Sequence, residues 1–257
     1  MSCNCVARLL CVLLTASLVS CVGPGPDANE PGDKPATQPA ETQPAAGKPV
    51  AGKPGPAQLL AAGEWVELFD GKSLTGWKVP EFGGDGKVYV KDGAVHMAMG
   101  DMCTGFTFDE PHSPIGKLPR VNYELEVEGQ RVEGEDFFCA VTFPVGKDHI
   151  TFVPDGWGGA VTGLSCLDDF DASMNETTMD LPFKNGQWYT FGMRVTPTHI
   201  YCSVDDKEIL KVARKGRRIG IRGEVEQSCP LGIATWQTHG AVRGVRVRKI
   251  DPNAVEP

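Results

Sequence analysis

Tyr123-Glu124-Leu125-Glu126-Val127-Glu128 alternates apolar and acidic residues. Successive side chains of a β-strand point to opposite faces, so this stretch fits a strand with one buried and one solvated face. Tyr189-Thr190-Phe191-Gly192-Met193-Arg194-Val195 alternates in the same way. His199 to Val204, then Asp205-Asp206, then Lys207 to Val212 reads as a hairpin. Val88-Tyr89-Val90, then Lys91-Asp92-Gly93, then Ala94 to Met97 reads as a second hairpin, with Asp-Gly supplying the turn. The near-continuous apolar run Asp136 to Val145 predicts a central strand, and Ala241 to Ile250, alternating Val and Arg, predicts a strand with one basic face. Clean helical periodicity is not sustained over a stretch of about 12 residues anywhere. Short strands parted by Gly and Pro turns imply an all-β sandwich or barrel, and the lack of an internal repeat argues against a propeller.

Outward from these strands the composition changes. The chain has 257 residues. Met1 to Ser20 carries Arg8 and then an apolar run, Leu9 to Val19, about half the roughly 20 residues that span a bilayer. It reads as a signal-peptide h-region. The run ends in Leu18-Val19-Ser20-Cys21, which resembles the lipobox of bacterial lipoproteins and makes Cys21 the expected lipidation site. Val22 follows it, and the aspartate associated with inner-membrane retention is absent, so that resemblance implies an exported protein on the outer membrane. From residue 22 to 62 the chain is rich in Pro, Ala, Gly, Gln and Thr and poor in large apolar residues. Such a segment buries too little surface to offset its ordering entropy, and a disordered tether is expected. The expected organisation is a signal peptide over 1–21, a tether over 22–62, a β-sandwich over 63–251 and a tail over 252–257.

The formal net charge is −8. An acidic domain lacks the Lys and Arg excess that gives nucleic acids their affinity, so no nucleic-acid partner is expected. Of nine cysteines, five fall in the domain: Cys103, Cys139, Cys166, Cys202 and Cys229. No C-x-x-C pair occurs among them, which argues against a zinc ribbon, and spacing leaves any disulfide pairing open.

The segment Leu68-Phe69-Asp70-Gly71-Lys72-Ser73-Leu74-Thr75-Gly76-Trp77 resembles the opening "LFDGKSLTGW" of the 3-keto-disaccharide hydrolase family. The resemblance continues in order. Tyr89 to Met97 resembles the family's "W-x-V-x-D-G" hairpin, Asn122 to Gly129 its "FEL-x-x-E" strand, Asn185 to Tyr189 its "GEWN" segment, and Gly232 to Ile250 its closing "I-x-LQ-x-HG-x-x-V-x-FRNI". It implies a concanavalin A-like jelly roll of two antiparallel sheets, with carbohydrate on the concave sheet. One departure stands out. Where the family carries "NSGI-x-x-R", with an arginine pointing into the cleft, this chain has Asp136-Phe137-Phe138-Cys139-Ala140-Val141-Thr142-Phe143-Pro144 and no arginine.

Several residues are candidates for chemistry. Glu124, Glu126 and Glu128 step along one strand face at about 7 Å. Retaining glycosidases need two carboxyls about 5–5.5 Å apart, so a catalytic row and a solvated face are both open. His239, in Trp236-Gln237-Thr238-His239-Gly240, can exchange protons near neutral pH; His149 and Glu135 are the other candidate bases. Trp157, between glycines, suits stacking on a sugar face, and Trp236, Gln237, Asp168 and Glu176 join it as candidate substrate contacts. Asp169, Asp171 and Asn175 place oxygens at alternate positions in a loose imitation of a calcium loop, although Met174 stands where its sharp turn wants Gly.

The resemblance implies a hydrolase or lyase acting on 3-keto-disaccharides or other 3-keto-glycosides. A carbohydrate-binding module without catalysis and a structural or adhesion sandwich are the alternatives. A common cleft is expected for His149, Trp157, Trp236, Gln237 and His239, walled by irregular loops between Asp148 and Glu176. Because Cys21 is the expected membrane tie, Cys21→Ala should move the protein to the soluble fraction or leave it unprocessed. A variant still fractionating as an integral membrane protein would refute the lipid anchor.

Overall fold

A computed structural model describes residues 53–252, and the expected signal, Cys21 and most of the expected tether lie outside them. A helix, α1 (Pro56–Ala61), precedes fourteen strands. In chain order these are β1 (Val66–Glu67), β2 (Trp77–Lys78), β3 (Val88–Lys91), β4 (Ala94–Met97), β5 (Cys103–Phe108), β6 (Tyr123–Glu133) and β7 (Ala140–Val145). There follow β8 (Asp148–Asp155), β9 (Val161–Ser165), β10 (Trp188–Val195), β11 (His199–Val204), β12 (Lys207–Ala213), β13 (Gly232–Trp236) and β14 (His239–Lys249).

The strands make two antiparallel sheets. One has eight strands, ordered β12-β11-β10-β6-β14-β4-β3, with β1 also pairing β14; the other has six, ordered β2-β5-β13-β7-β8-β9. This is the sandwich that the alternating patterns imply, in the jelly-roll form that the family resemblance implies. Tyr123, Leu125 and Val127 of β6 are buried, and so are Phe191 and Met193 of β10. Phe191 meets Phe152 of the facing sheet at a centroid distance of 6.0 Å, so the two layers interdigitate through aromatic rings. Tyr123 Oη donates across the layers to the Pro144 carbonyl at 2.7 Å, satisfying a buried hydroxyl.

The opening motif is structural. Asp70 Oδ1 accepts the backbone N–H groups of Lys72 and Ser73 at 2.8 and 2.7 Å, which closes the Asp-Gly-Lys-Ser turn and holds its carboxyl below the usual range. Trp77 is buried edge-on against Phe106 at 4.9 Å, and its Nε1–H donates to the Leu68 carbonyl at 2.7 Å.

On its outer face β6 presents the glutamates to β14. Arg243, Arg246 and Arg248 donate through Nε to Glu128, Glu126 and Glu124 at 2.7, 2.6 and 2.6 Å. Each carboxylate of the row is neutralised by the strand beside it, so the glycosidase-like reading of this row is overturned. Two further expectations change. Asp136 to Cys139 is a turn, and the strand starts only at Ala140. The stretch from Asp148, expected to be irregular, is strand β8 and then β9; covered on both faces, β8 lacks the period-two pattern that would have revealed it.

The folded unit also begins before Gly63. Leu60 of α1 is buried in the core and Leu59 packs against it. Removing a buried leucine side chain costs about 2–5 kcal/mol. A chain starting at Gly63 should therefore melt below one starting at Lys53, as read by thermal unfolding. Equal midpoints would show that α1 contributes nothing to the core.

Candidate functional site

The outer face of the six-stranded sheet carries a cleft of about 240 Å³. Its floor is made of short side chains, Ala140 on β7, Thr151 and Val153 on β8 and Ser165 on β9, which leave room above the sheet. One wall is aromatic: Phe137 and Trp236, with ring centroids 6.5 Å apart, and Trp157. Asp136 stands at the same wall, its Oδ1 accepting the Phe137 N–H at 2.7 Å and its Oδ2 the Gly158 N–H at 2.8 Å. The facing wall is ionic. Arg222 and Glu224, from the connection between β12 and β13, line the cleft with Val225.

Arg222 Nη2 and Nε donate to Glu224 at 2.6 and 3.3 Å, and Nη1 donates to Asp171 at 2.8 Å. Its hydrogen bonds hold the Glu224 carboxyl below its ordinary value, so Glu224 stays ionised. Between the walls lies Cys103. Burial first, then the negative charges of Glu224 and Asp136, push its thiol up to about 12.

The Trp157 turn is backbone-strained. Asp155 and Trp157 have φ of 61° and 55°, the left-handed region that a bulky side chain rarely occupies. Asp155 is tied to Arg131 of β6 at 2.5 Å, with both side chains buried, and Arg131 Nη2 donates to the Phe183 carbonyl at 2.8 Å. Trp157 itself remains 41% exposed, with a ring surface open to a ligand.

The 3-keto-α-glucoside-1,2-lyase-like domain matches residues 64–251. The chain belongs to that family. Among curated proteins none matches. Of solved structures, a Crh5 transglycosylase in complex with NAG is 14% identical, with a TM-score of 0.52 and coverage of 75% of this chain and 86% of that one. The apo form of Crh5 is 13% identical, with a TM-score of 0.50 and coverage of 77% and 89%. A carbohydrate binding module, CBM66 from Bacillus subtilis, is 11% identical, with a TM-score of 0.45 and coverage of 68% and 96%. At these identities the likeness to Crh5 is one of fold.

Within this lyase-like domain the expected site residues separate. Trp157 and Trp236 line the cleft. His239 does not. Its Nε2 lies 3.2 Å from Nδ1 of His96, whose ring stacks on Tyr89 at 5.2 Å. His96 alternates with core residues Val95 and Met97, so this group sits on the outer face of the other sheet. The shared cleft expected for His239 and Trp157 is therefore not formed. Burial lowers the pKa of His239, with His96 adding to it. His149 is on the right face but one pleat, about 7 Å, beyond Thr151, beside Arg120. Burial lowers its pKa as well, followed by Arg120. Glu135 is exposed next to Asp136 without lining the cleft, and Gln237 ties its turn to the Asp101 carbonyl at 2.9 Å.

The acidic loop is not a calcium loop. Asp168 accepts the Arg218 N–H at 2.8 Å and Arg217 Nη1 at 2.5 Å, and Glu176 pairs with the same Arg217. Asp169 pairs with Arg218 at 2.7 Å and Asp171 with Arg222 at 2.8 Å. Asn175 turns Nδ2 to the carbonyls of Leu164 and Asp171, both at 2.8 Å, and spends its oxygen on Thr177. The oxygens that the spacing offered are taken by arginines and backbone, and among the described residues no group of three or more acidic, His or Cys side chains could hold a metal. These residues instead zip two loops together behind the ionic wall.

Asp136, Phe137, Cys103, Arg222 and Glu224 were not among the expected site residues. The departure from "NSGI-x-x-R" was the one available signal: Asp136 opens that segment, and the cleft guanidinium comes from Arg222, far along the chain. All five domain cysteines are free thiols. With its thiol raised to about 12, Cys103 should resist alkylation by iodoacetamide at about pH 8 in the folded protein. Rapid labelling, located by mass spectrometry, would contradict the closed environment described for it.

Proposed function

We propose that this cleft binds a 3-keto-glycoside and cleaves it by elimination. The observation that carries the reading is the convergence of a carboxylate, a guanidinium and two tryptophans on one floor within the lyase-like domain. A sugar ring presents an apolar face to Trp157 or Trp236, as aromatic contacts favour. A keto group at C3 acidifies the proton on C2. Asp136 removes that proton, and the electron pair of the C2–H bond becomes an enolate whose charge collects on the C3 oxygen. Arg222 faces the developing oxyanion with its remaining N–H groups. The enolate collapses, C3=O re-forms, a C1=C2 double bond forms, and the C1–O bond breaks. The leaving oxygen takes the proton from Asp136, so no proton is gained or lost overall. Addition of water across the new double bond would complete a net hydrolysis.

His239, His149 and Glu135 give way to Asp136 as the base because Asp136 is the one that lines the cleft. Its carboxylate accepts two backbone N–H groups, and lone pairs remain for the substrate. A non-catalytic sugar-binding module is the second reading, favoured by Arg222 already being engaged by two carboxylates. The sequence at Cys21 supports presentation of this domain outside the cytoplasm on a lipid anchor; among the described residues no helix is long and apolar enough to cross a membrane.

The test is product analysis on 3-keto-disaccharides and ordinary disaccharides, with and without added calcium. Enone or 3-keto-monosaccharide should appear from the keto substrates alone. Asp136→Asn should lower kcat by about 100- to 10,000-fold with little change in KM. Saturable sugar binding without turnover by the wild type would leave the binding-module reading.

A further inference from the structure

Arg131 and Asp155 touch the cleft only indirectly, yet both bear on Trp157. Asp155 closes β8, and its carboxylate meets Arg131 Nη1 at 2.5 Å. The Arg131 side chain is 8% exposed and that of Asp155 3%, so the pair is sealed from water. Arg131 is held in turn: Nε donates to Asn185 Oδ1 at 2.5 Å, Nη2 to the Phe183 carbonyl at 2.8 Å, and the guanidinium lies 5.5 Å from the Phe138 ring centroid. Asp155 has its own N–H bonded to Thr162 Oγ1 at 3.1 Å. The chain then passes through two left-handed residues, Trp157 and Gly158, with φ of 55° and 69°. Gly156 between them and Asp155 is buried, and a Cβ there would lie 2.9 Å from the Val153 side chain. Past Trp157, the Gly158 N–H is taken by Asp136 Oδ2 at 2.8 Å.

The strained turn is thus gripped on both sides of Trp157, by Asp155 before it and by the cleft carboxylate Asp136 after it. A buried ion pair is poor value as a stabiliser, because desolvation offsets the attraction, and such pairs serve geometry better than stability. Burial, the largest influence, raises the Asp155 carboxyl, and Arg131 acts against it. What the pair fixes is where an exposed indole stands.

We infer that Arg131 is a positioning residue: through Asp155 it holds the Trp157 turn in its left-handed form as a preformed platform for the ligand ring. Preorganisation of this kind lowers the ordering cost of binding and is felt in affinity rather than in the chemical step. The catalytic arm of the test rests on the proposed function; a structural arm does not.

The double variant Arg131→Met with Asp155→Asn removes both charges together, and Asn tolerates the left-handed φ. It should fold with a melting midpoint close to wild type. With 4-nitrophenyl 3-keto-α-glucoside its KM should rise about two- to ten-fold, as should that of Trp157→Ala, with kcat little changed. Arg131→Lys, which keeps the charge, should recover part of the loss. Amide exchange is read in parallel, and the Gly158 N–H should lose protection in the double variant but not in Trp157→Ala. If the wild type turns over no keto-glycoside, the proposed function fails while the exchange arm still decides this inference. Wild-type KM, or wild-type Gly158 protection, in the folded double variant would overturn it.

Discussion

The contact between Arg131 and Asp155 joins the two layers of the sandwich where the cleft opens. Arg131 belongs to the long central strand of the eight-stranded sheet, Asp155 to the end of β8 in the six-stranded one. A carboxyl whose value is raised in the folded state contributes most at pH below its unfolded value, and that contribution is lost as pH rises through the folded one. The ring contacts between the layers, Phe191 on Phe152 and Phe138 on Phe191, supply cohesion without specifying which end of the sandwich is open. The ion pair adds a directed contact between the layers, because either charge without its partner would be buried unpaired.

The two outer faces of the sandwich differ in chemistry. On the eight-stranded sheet the long side chains stand in opposite-charge pairs across β6 and β14, and aromatic rings lie beneath arginines, as with Arg194 3.9 Å from the Tyr201 ring centroid. A polar hollow of about 300 Å³ exists there, larger than the cleft, but its walls include Glu124, Glu126, Arg194 and Arg248, already committed to one another or to strand neighbours. On the six-stranded sheet the strands offer alanine, threonine, valine and serine, and the volume they omit is what a ligand can occupy. Loops then raise the walls: one aromatic and backbone-strained, the other built from arginines zipped to aspartates.

The fold was legible wherever one face of a strand met water. Tyr123 to Glu128 and Tyr189 to Val195 announced themselves because their outward residues are Glu, Thr and Arg. The β8 and β9 strands did not, because their outward side chains are buried as well as their inward ones, which erases the alternation. Leu59 and Leu60 were hidden in a different way: two leucines after a long Pro- and Gly-rich stretch look like the end of a tether, and only the core packing shows that the domain begins there. Of the site, Trp157 was legible as an indole between glycines, and Trp236 through the closing segment that resembles the family's "LQ-x-HG". Asp136 was not, since its segment reads as an apolar strand. Arg222 was not, since its role depends on Asp171 and Glu224 reaching it from two directions. The calcium-like spacing misled for the same reason: spacing along the chain gives oxygens at suitable intervals, but not the arginines from residues 217 to 222 that claim them.

The source of the cleft guanidinium has a chemical consequence. An arginine projecting from a sheet strand is oriented by the strand and keeps its donors free. Arg222 sits on a connection between strands, and three of its nitrogens are already donating to Glu224 and Asp171. A guanidinium has five N–H groups in a fixed plane, so those bonds leave few donors but aim them without further loss of freedom. Its positive charge is also shared with two carboxylates before a ligand arrives. Such a group interacts weakly with a neutral carbonyl and more strongly once charge develops on the oxygen, which is the differential response that lowers a barrier. A guanidinium carried on this connection is therefore aimed by its carboxylate partners and not by a strand. It also ties the electrostatics of the cleft to the Arg–Asp zipper behind its wall, because Asp171, which holds Arg222, shares its loop with Asp168 and Asp169, held by Arg217 and Arg218.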